Sequence, residues 1–476
     1  MRDPGRPPNG LPLGVVGLGY MGLTSALSLA AHGHRVLGYD IEPTTRRRLQ
    51  RAQSPVREPR LESLLGRMVR RGRFQVSDEL SEVVSESEGV FVCLPTPPRR
   101  SGRIDLRPLT NGLRTVADAL RPIEAHRIVV IKSTVVPGTT EGLLEPLLRR
   151  KTGRPAERLG VATNPEFLAE GSMVRDALKP ERIVLGTSDP RTRRWVRRVY
   201  RPFRAPLVEL TPTGAELVKY ASNAFLAIKV SFANEVSRLA EALGVHVDEV
   251  LAGVGSDSRI GTKFLRAGPG FGGSCFSKDL RAIVTAAADL GLSFRLGQAT
   301  LEVNAEQTGH ALELIRGAIG PLEHRAVAVL GLSFKAGTDD VRESRAFPLV
   351  RALVRAGVQT RVHDPVALPK FQAAWENGAG VHLRGVGDVE YRGTVASALE
   401  GADLAVLHTD WPIYREWRRD WTDRMAQGIL VDLRRCVPPA RARRAGLRLV
   451  ALGVGNRVDR PAPAAAPRAV REVPRA

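Results

Sequence analysis

A short apolar strand, a glycine turn and a helix open this chain, and the same order returns in its second half. Residues 13–16 read as the strand, Gly17-Leu18-Gly19-Tyr20-Met21-Gly22 as the turn and 21–32 as the helix. In such a turn the first glycine permits the tight bend. The second lets backbone approach a pyrophosphate, and the third lets helix pack on strand. A bare match means little, but here a second strand over 35–39 ends at Asp40, eighteen residues past Gly22. Asp40 can accept hydrogen bonds from ribose hydroxyls and would repel a 2′-phosphate, so NAD is expected over NADP. Arg46, Arg47 and Arg48 read as a solvated helix face.

Further buried strands read at 89–93, 128–131, 159–162 and 183–185, alternating with helices, which predicts a parallel, doubly wound sheet. The second half repeats the opening with a strand over 326–330, the turn Gly331-Leu332-Ser333-Phe334-Lys335, and a helix near 346–356. A strand over 360–363 follows and ends at Asp364, with later strands at 404–407, 429–432 and 447–452. Its turn lacks the full glycine fingerprint, so something other than a second dinucleotide is expected there. Residues 213–243 read as one helix, too long for an ordinary globular element and suited to bridging domains or forming a dimer seam. The expected architecture is α/β: two Rossmann-like doubly wound domains joined by a long central helix. The expected boundaries are a dinucleotide-binding domain at 11–205, a central helix and cysteine region at 206–310, and a second domain at 311–456. Residues 1–10 and 457–476 are Pro-, Ala- and Arg-rich and read as disordered tails.

At 476 residues and 43% hydrophobic, the chain can bury more than one core. Three cysteines (Cys93, Cys275, Cys436) are too few and scattered for a disulfide framework or a zinc site, so a reducing, cytoplasmic setting and no metal are expected. The nearly uncharged stretch 11–31 resembles a leader or membrane span, but its glycines and the strand that follows make it strand, turn and helix. The net charge of +21 suggests nucleic acid, yet nine Lys and sixty-two Arg are strewn along the whole chain. Neither nucleic acid nor membrane is an expected partner. Where Arg is so favoured, surviving lysines mark positions needing a compact ammonium that can lose its proton. Lys219, Lys278 and Lys335 all lie in the motifs below.

The segment 268–279 reads Gly-Pro-Gly-Phe-Gly-Gly-Ser-Cys-Phe-Ser-Lys-Asp. A glycine-rich loop thus delivers Cys275 to the start of an amphipathic helix reaching about Leu290. The helix end and Lys278, one turn on, are expected to favour a thiolate. Asp279 can orient Lys278 or a water. A lone cysteine is most often a small buried hydrophobe, but a thiol in a loop of four glycines beside Lys and Asp makes a poor core residue. A cysteine nucleophile in an NAD enzyme implies aldehyde-level chemistry: the thiolate adds to a carbonyl, hydride leaves to NAD, and the thioester is hydrolysed. Asn164-Pro165-Glu166-Phe167-Leu168-Ala169-Glu170-Gly171 follows a buried strand, at a sheet edge where α/β sites collect, and its two Glu suit a base and a cofactor contact. Lys219 and Asn223 share one face of the long helix.

Taken in order, these motifs resemble the UDP-glucose/GDP-mannose dehydrogenase family over about residues 13–455. The resemblance also runs through the 132–138 segment Lys-Ser-Thr-Val-Val-Pro-Gly, Phe334-Lys335, the 338–344 segment Thr-Asp-Asp-Val-Arg-Glu-Ser, and Asp432-Leu433-Arg434. It implies a four-electron oxidation of a nucleotide sugar at C6, with UDP-glucose becoming UDP-glucuronate through a Cys275 thiohemiacetal and thioester. The alternatives are GDP-mannose or UDP-N-acetylhexosamine oxidation, or a non-enzymatic nucleotide-sugar sensor. By the same resemblance Lys219 stabilises an oxyanion, Asn223 positions the reacting oxygen, and Asp279 assists a water or Lys219. Thr134 holds a water and Glu166 joins acid–base steps. Thr96, Thr134, Glu170 and Lys278 would touch NAD, with Gly17, Gly19, Tyr20, Met21, Gly22 and Asp40. Phe167, Leu168, Phe264, Phe271, Gly272, Lys335 and Arg434 would line the sugar-nucleotide site, and Arg259 would reach it across a homodimer. Ser277, Arg435 and Met21 depart from the family's usual residues; only Arg435 bears on substrate contacts.

Overall fold

The computed structural model describes residues 10–99, 101–379 and 389–455, so the expected tails lie, residue 10 apart, outside the described residues. The first domain is an eight-stranded sheet of β1 (Pro12–Val16), β2 (Arg35–Tyr39), β3 (Phe74–Val76), β4 (Gly89–Val92), β5 (Arg127–Ile131), β6 (Leu159–Thr163), β7 (Ile183–Gly186) and β8 (Leu207–Leu210). Its strand order is β3-β2-β1-β4-β5-β6-β7-β8. The central strands are buried end to end, as in a sheet covered by helices on both faces, which is why each reads as an unbroken apolar run. One pair departs from the expected parallel arrangement: β6 meets β7 antiparallel, at Thr163 opposite Gly186. The chain between them stays at the carboxyl edge where β6 ends, so β7 starts there and runs back. That return pins the 164–182 segment at the edge from both ends.

The second sheet holds β9 (Ala326–Leu330), β10 (Gln359–His363), β11 (Val389–Tyr391), β12 (Leu404–Leu407), β13 (Ile429–Asp432) and β14 (Arg448–Ala451). Its order, β11-β10-β9-β12-β13-β14, repeats the first six positions of the other sheet. The likeness extends to single hydrogen bonds. Gly17 N–H donates to the Tyr39 carbonyl and Gly331 N–H to the His363 carbonyl, both at 2.8 Å. Both glycines carry positive φ, +87° and +95°.

The central helix runs unbroken from Pro212 to Leu243. Thr211 Oγ1 caps it by accepting from Gly214 N–H at 3.1 Å, Pro212 suits its first turn, and Gly244 ends it in the left-handed region. It packs against β7 in the first domain and along the 25-residue return helix (Arg295–Ile319) that leads into the second. A third helix, Phe276–Asp289, starts directly after Cys275 and packs across both.

Candidate active site

At the carboxyl edge of the first sheet, the glycine turn has the shape a dinucleotide needs. A Cβ on Gly17 would sit 2.6 Å from the Cys93 carbonyl oxygen, and one on Gly22 would overlap the Gly17 carbonyl. Gly19, by contrast, has nothing within 4 Å, which leaves its backbone open to a ligand. The Asp40 carboxylate accepts from Leu18 N–H at 2.7 Å and Glu42 N–H at 2.9 Å. These bonds aim it along the strand edge, where a ribose would lie. Arg46 is occupied: it donates to the Asp40 carbonyl at 2.7 Å, pairs with Asp78 at 2.8 Å and lies over the Tyr39 ring. Arg48 donates to the Ser54 carbonyl. The Arg46 guanidinium is thus spent within the protein. Thr96 Oγ1 donates to the Thr134 carbonyl at 2.8 Å, joining the loops after β4 and β5 beside this turn.

The second turn is closed where the first is open. Asp364, the counterpart of Asp40, is buried and accepts from Leu332 N–H, Ser333 N–H, the Ser333 hydroxyl and the Trp411 indole N–H at 2.8–3.2 Å. A carboxylate so saturated, under an indole, has no lone pair for a ribose.

Between the two edges stands a buried cluster. Lys219 Nζ donates to Glu166 Oε1 at 2.9 Å, and both residues are at most 5% exposed. Burial disfavours the ammonium, but Glu166, Asp279 and Cys275 outweigh it and hold its pKa above the ordinary lysine value. Glu166 Oε2 accepts from Leu168 N–H at 2.5 Å, which fixes the carboxylate on its own turn. Asn223 Nδ2 donates to Asp279 Oδ2 at 2.7 Å, and Lys278 pairs with Asp279 Oδ1. Phe167 lies under Lys219, 5.4 Å from Nζ to the ring centre, with the Arg182 guanidinium 4.1 Å from that centre.

Cys275 is exposed at the helix start, with Ser274 Oγ 3.6 Å from its sulfur. Its thiol is pushed up, not down: protein packed around the sulfur raises it, Glu166 adds to this, and Lys219 opposes. The expectation that Lys278 favours a thiolate is therefore corrected. Lys278 is spent on Asp279, and the cation that acts on the sulfur is Lys219.

The loop before Cys275 is pinned by two buried asparagines that sequence reasoning missed. Asn234, on the central helix, accepts from Gly268 N–H at 2.8 Å. Asn304, on the return helix, accepts from Phe271 N–H at 2.7 Å and donates to the Phe271 carbonyl at 3.1 Å. The signal was an amide on an otherwise core-facing helical stripe. A Cβ on Gly272 would lie 2.5 Å from the Glu343 carbonyl oxygen, so the loop packs directly on the second domain. Phe271 is buried against Phe276, while Phe264 is partly exposed with φ +65°.

The second domain closes the cleft. Gly273 N–H donates to the Arg342 carbonyl at 3.0 Å. Glu170 accepts from Arg342 at 3.2 Å and from the Thr338 hydroxyl at 3.3 Å, and Asp340 also pairs with Arg342. Burial, helped by Asp340 and opposed by Arg342, pushes the Glu170 carboxyl up to about 7. Lys335 is lowered by burial, with Glu170 and Glu58 acting against that. Arg434 Nε donates to the His408 carbonyl at 2.9 Å, and a Cβ on Gly268 would lie 3.0 Å from its guanidinium. Arg435 is structural: its guanidinium holds Asp248 and the Leu452 and Ala267 carbonyls. Arg259 lies apart from this cluster, 87% exposed along its side chain and paired with Asp257.

Comparison with known proteins agrees with this geometry. Residues 12–204 match the NAD binding domain of the UDP-glucose/GDP-mannose dehydrogenase family, 213–306 its central domain and 328–439 its UDP binding domain. UDP-glucose 6-dehydrogenase of Haloferax volcanii is 38% identical over 92% of this chain and 99% of its own length. The Bacillus subtilis enzyme YwqF, of the same name, is 33% identical over 92% and 97%. A solved UDP-glucose dehydrogenase from Pyrobaculum islandicum superposes with TM-score 0.85 at 38% identity, covering 96% of this chain and all of the other. A UDP-D-ManNAc dehydrogenase from Pyrococcus horikoshii gives 0.79 at 27%, covering 93% and 99%. A dinucleotide turn open on one sheet, its closed twin on the other and a cysteine between them are thus what matched domains would build, and the chain belongs to the UDP-glucose/GDP-mannose dehydrogenase family.

Proposed function

We propose that this chain oxidises UDP-glucose at C6 in two steps, forming UDP-glucuronate and reducing two NAD. The observation that carries the reading is the single cluster of Cys275, Lys219, Glu166, Asn223 and Asp279 between the two sheet edges. The UDP-glucose 6-dehydrogenases among its relatives support the choice of sugar. NAD, where bound at the glycine turn, would supply the hydride acceptor for both oxidations. In the first, the C6 hydroxyl loses its proton towards the Lys219–Glu166 pair. Lys219 then stabilises negative charge on that oxygen, and Asn223, oriented by Asp279, positions it. As Cys275 sulfur adds to the aldehyde carbon its thiol proton passes to Glu166 and on to solvent, and the alkoxide so formed, held by Lys219, collapses to a thioester as the second hydride leaves. Water, held by Thr134 and Asp279, adds to the thioester carbon, and the acid departs as the thiol is regenerated.

In this reading Gly17, Gly19, Tyr20, Met21, Gly22, Asp40, Thr96, Glu170 and Lys278 hold NAD. Phe167, Leu168, Phe264, Phe271, Gly272, Lys335 and Arg434 hold the nucleotide sugar. Two copies would meet along the central helix, where Phe225, Phe232 and Leu239 stand exposed at seven-residue spacing. Arg259 would enter the partner's site. Among the described residues no helix is long and apolar enough to cross a membrane. The three cysteines are unpaired, as a cytoplasmic setting would keep them. NADH formation with UDP-glucose, GDP-mannose and UDP-N-acetylhexosamines tests the reading. Two NADH per UDP-glucose are expected; turnover confined to another sugar would overturn the choice of substrate.

A further inference from the structure

In the reaction proposed above, Thr134 holds the water that attacks the thioester, yet Thr134 lies on a loop, and a loop sits where its ties put it. Some ties run to the neighbouring loop after β4. Ser133 Oγ donates to the Leu94 carbonyl at 2.7 Å and accepts from Leu94 N–H at 2.9 Å, and the Thr134 carbonyl accepts from Thr96 Oγ1. Another reaches across the fold. Glu216, on the central helix, accepts from Gly138 N–H at 2.7 Å and from Thr140 N–H at 2.9 Å. Gly138 and Thr140 lie where the loop passes into the helical segment 140–152, whose first N–H groups have no partner of their own.

Glu216 is 2% exposed. Burial pushes its carboxyl up, and the hydrogen bonds from Thr140 and Gly138 act against that. A buried carboxylate is a costly way to cap a helix, since a local side chain can do it at the surface. A local candidate is in place: Thr139 occupies the cap position, but its hydroxyl donates to the Val136 carbonyl and caps nothing. The cap comes instead from the element that bears the catalytic ammonium. Glu216, Lys219 and Asn223 stand at i, i+3 and i+7, on one buried stripe of the central helix. They reach, in turn, the Thr134 loop, Glu166 and Asp279. One rigid rod therefore fixes the separation between the loop that holds the water and the groups that hold the sugar oxygen.

We propose that Glu216 is a positioning residue for the hydrolytic step: by tying the Thr134 loop to the helix that carries Lys219, it places the water against the thioester carbon and takes no part in either hydride transfer. In that step water adds to the carbon, the C–S bond breaks, one water proton passes to the sulfur and the acid leaves. Glu216→Gln keeps the size but offers one acceptor oxygen to two N–H groups, with its own amide facing the other. Rapid mixing of the full chain with NAD and UDP-glucose, or whichever sugar of the panel turns over, follows NADH. Acid quenching and intact-mass spectrometry follow the acyl group on Cys275. In Glu216→Gln the first two NADH per chain should form at about the wild-type rate, while kcat falls about tenfold through misplacement of the water. The quenched variant should carry more acylated Cys275 than the wild type. Early and steady rates that fall by one common factor, with no added acyl-enzyme, would overturn the proposal and leave Glu216 a structural cap; an unchanged kcat would overturn it too. If Glu216→Gln does not fold, Glu216→Asp, which keeps the charge but is one methylene short, decides by the same measurements. Because the inference rests on the oxidation proposed above, a wild-type chain that forms no NADH with any sugar refutes both. Normal wild-type turnover with a balanced loss in the variant refutes this inference alone.

Discussion

At the scale of single residues, the site is governed by which charge faces which. Cys275 has a pKa held up by its packed surroundings and by Glu166, and Lys219 is the cation that opposes them. The thiol therefore stays protonated in the free enzyme until the pH rises past the usual cysteine range, and loss of Lys219 must postpone ionisation further. In Lys219→Met, the midpoint of Cys275 alkylation is expected to lie higher than in the wild type, with slower alkylation at pH 8. An unchanged midpoint would mean that Lys219 does not act on the sulfur. The sequence made Cys275 legible because four glycines and a helix start frame it. It misassigned the supporting cation because chain proximity favoured Lys278, whereas Asp279, one residue on, captures that ammonium. Partners across the fold, such as Glu166 with Lys219, fifty-three residues apart, leave no local pattern to read.

At the scale of elements, long strongly patterned segments were read well and short ones were not. The central helix and the fully buried strands declare themselves by length and unbroken apolar runs. β3 and β11 are three residues each, too short to show a period, and β8 is a half-exposed edge strand. The return helix went unread, and Asn304 with it. That amide makes two hydrogen bonds to the backbone of Phe271, so Asn304→Ala should cost about 2–3 kcal/mol through two lost bonds and the groups left unsatisfied. Because the loop then loosens beside the nucleophile, KM for the nucleotide sugar should rise more than kcat falls. Thermal melting and steady-state kinetics check both; a melting temperature equal to wild type would refute the clamp.

At the scale of the whole molecule, the two sheets share the order of six strands and a turn geometry, yet one matches an NAD binding domain and the other a UDP binding domain. Asp40 keeps lone pairs for a ribose, while Asp364 is saturated beneath Trp411. Calorimetric titration should accordingly find one NAD site per chain, and a second equivalent of comparable affinity would contradict the closed turn. The repeat was legible in the sequence as two glycine turns with an acidic residue at the end of the next strand. The closure was not, because Trp411 arrives from a loop after β12, far along the chain. A different consequence follows from the central helix being one rod of about 48 Å. Lys219 and Asn223 ride on its first half, Asn234 grips the cysteine loop from its second half, and Glu241 holds Gly453 of the second domain near its end. A lever so stiff converts a small tilt at its far end into a displacement of nucleophile loop and ammonium together, so the enzyme's chemistry and its domain posture share one mechanical degree of freedom.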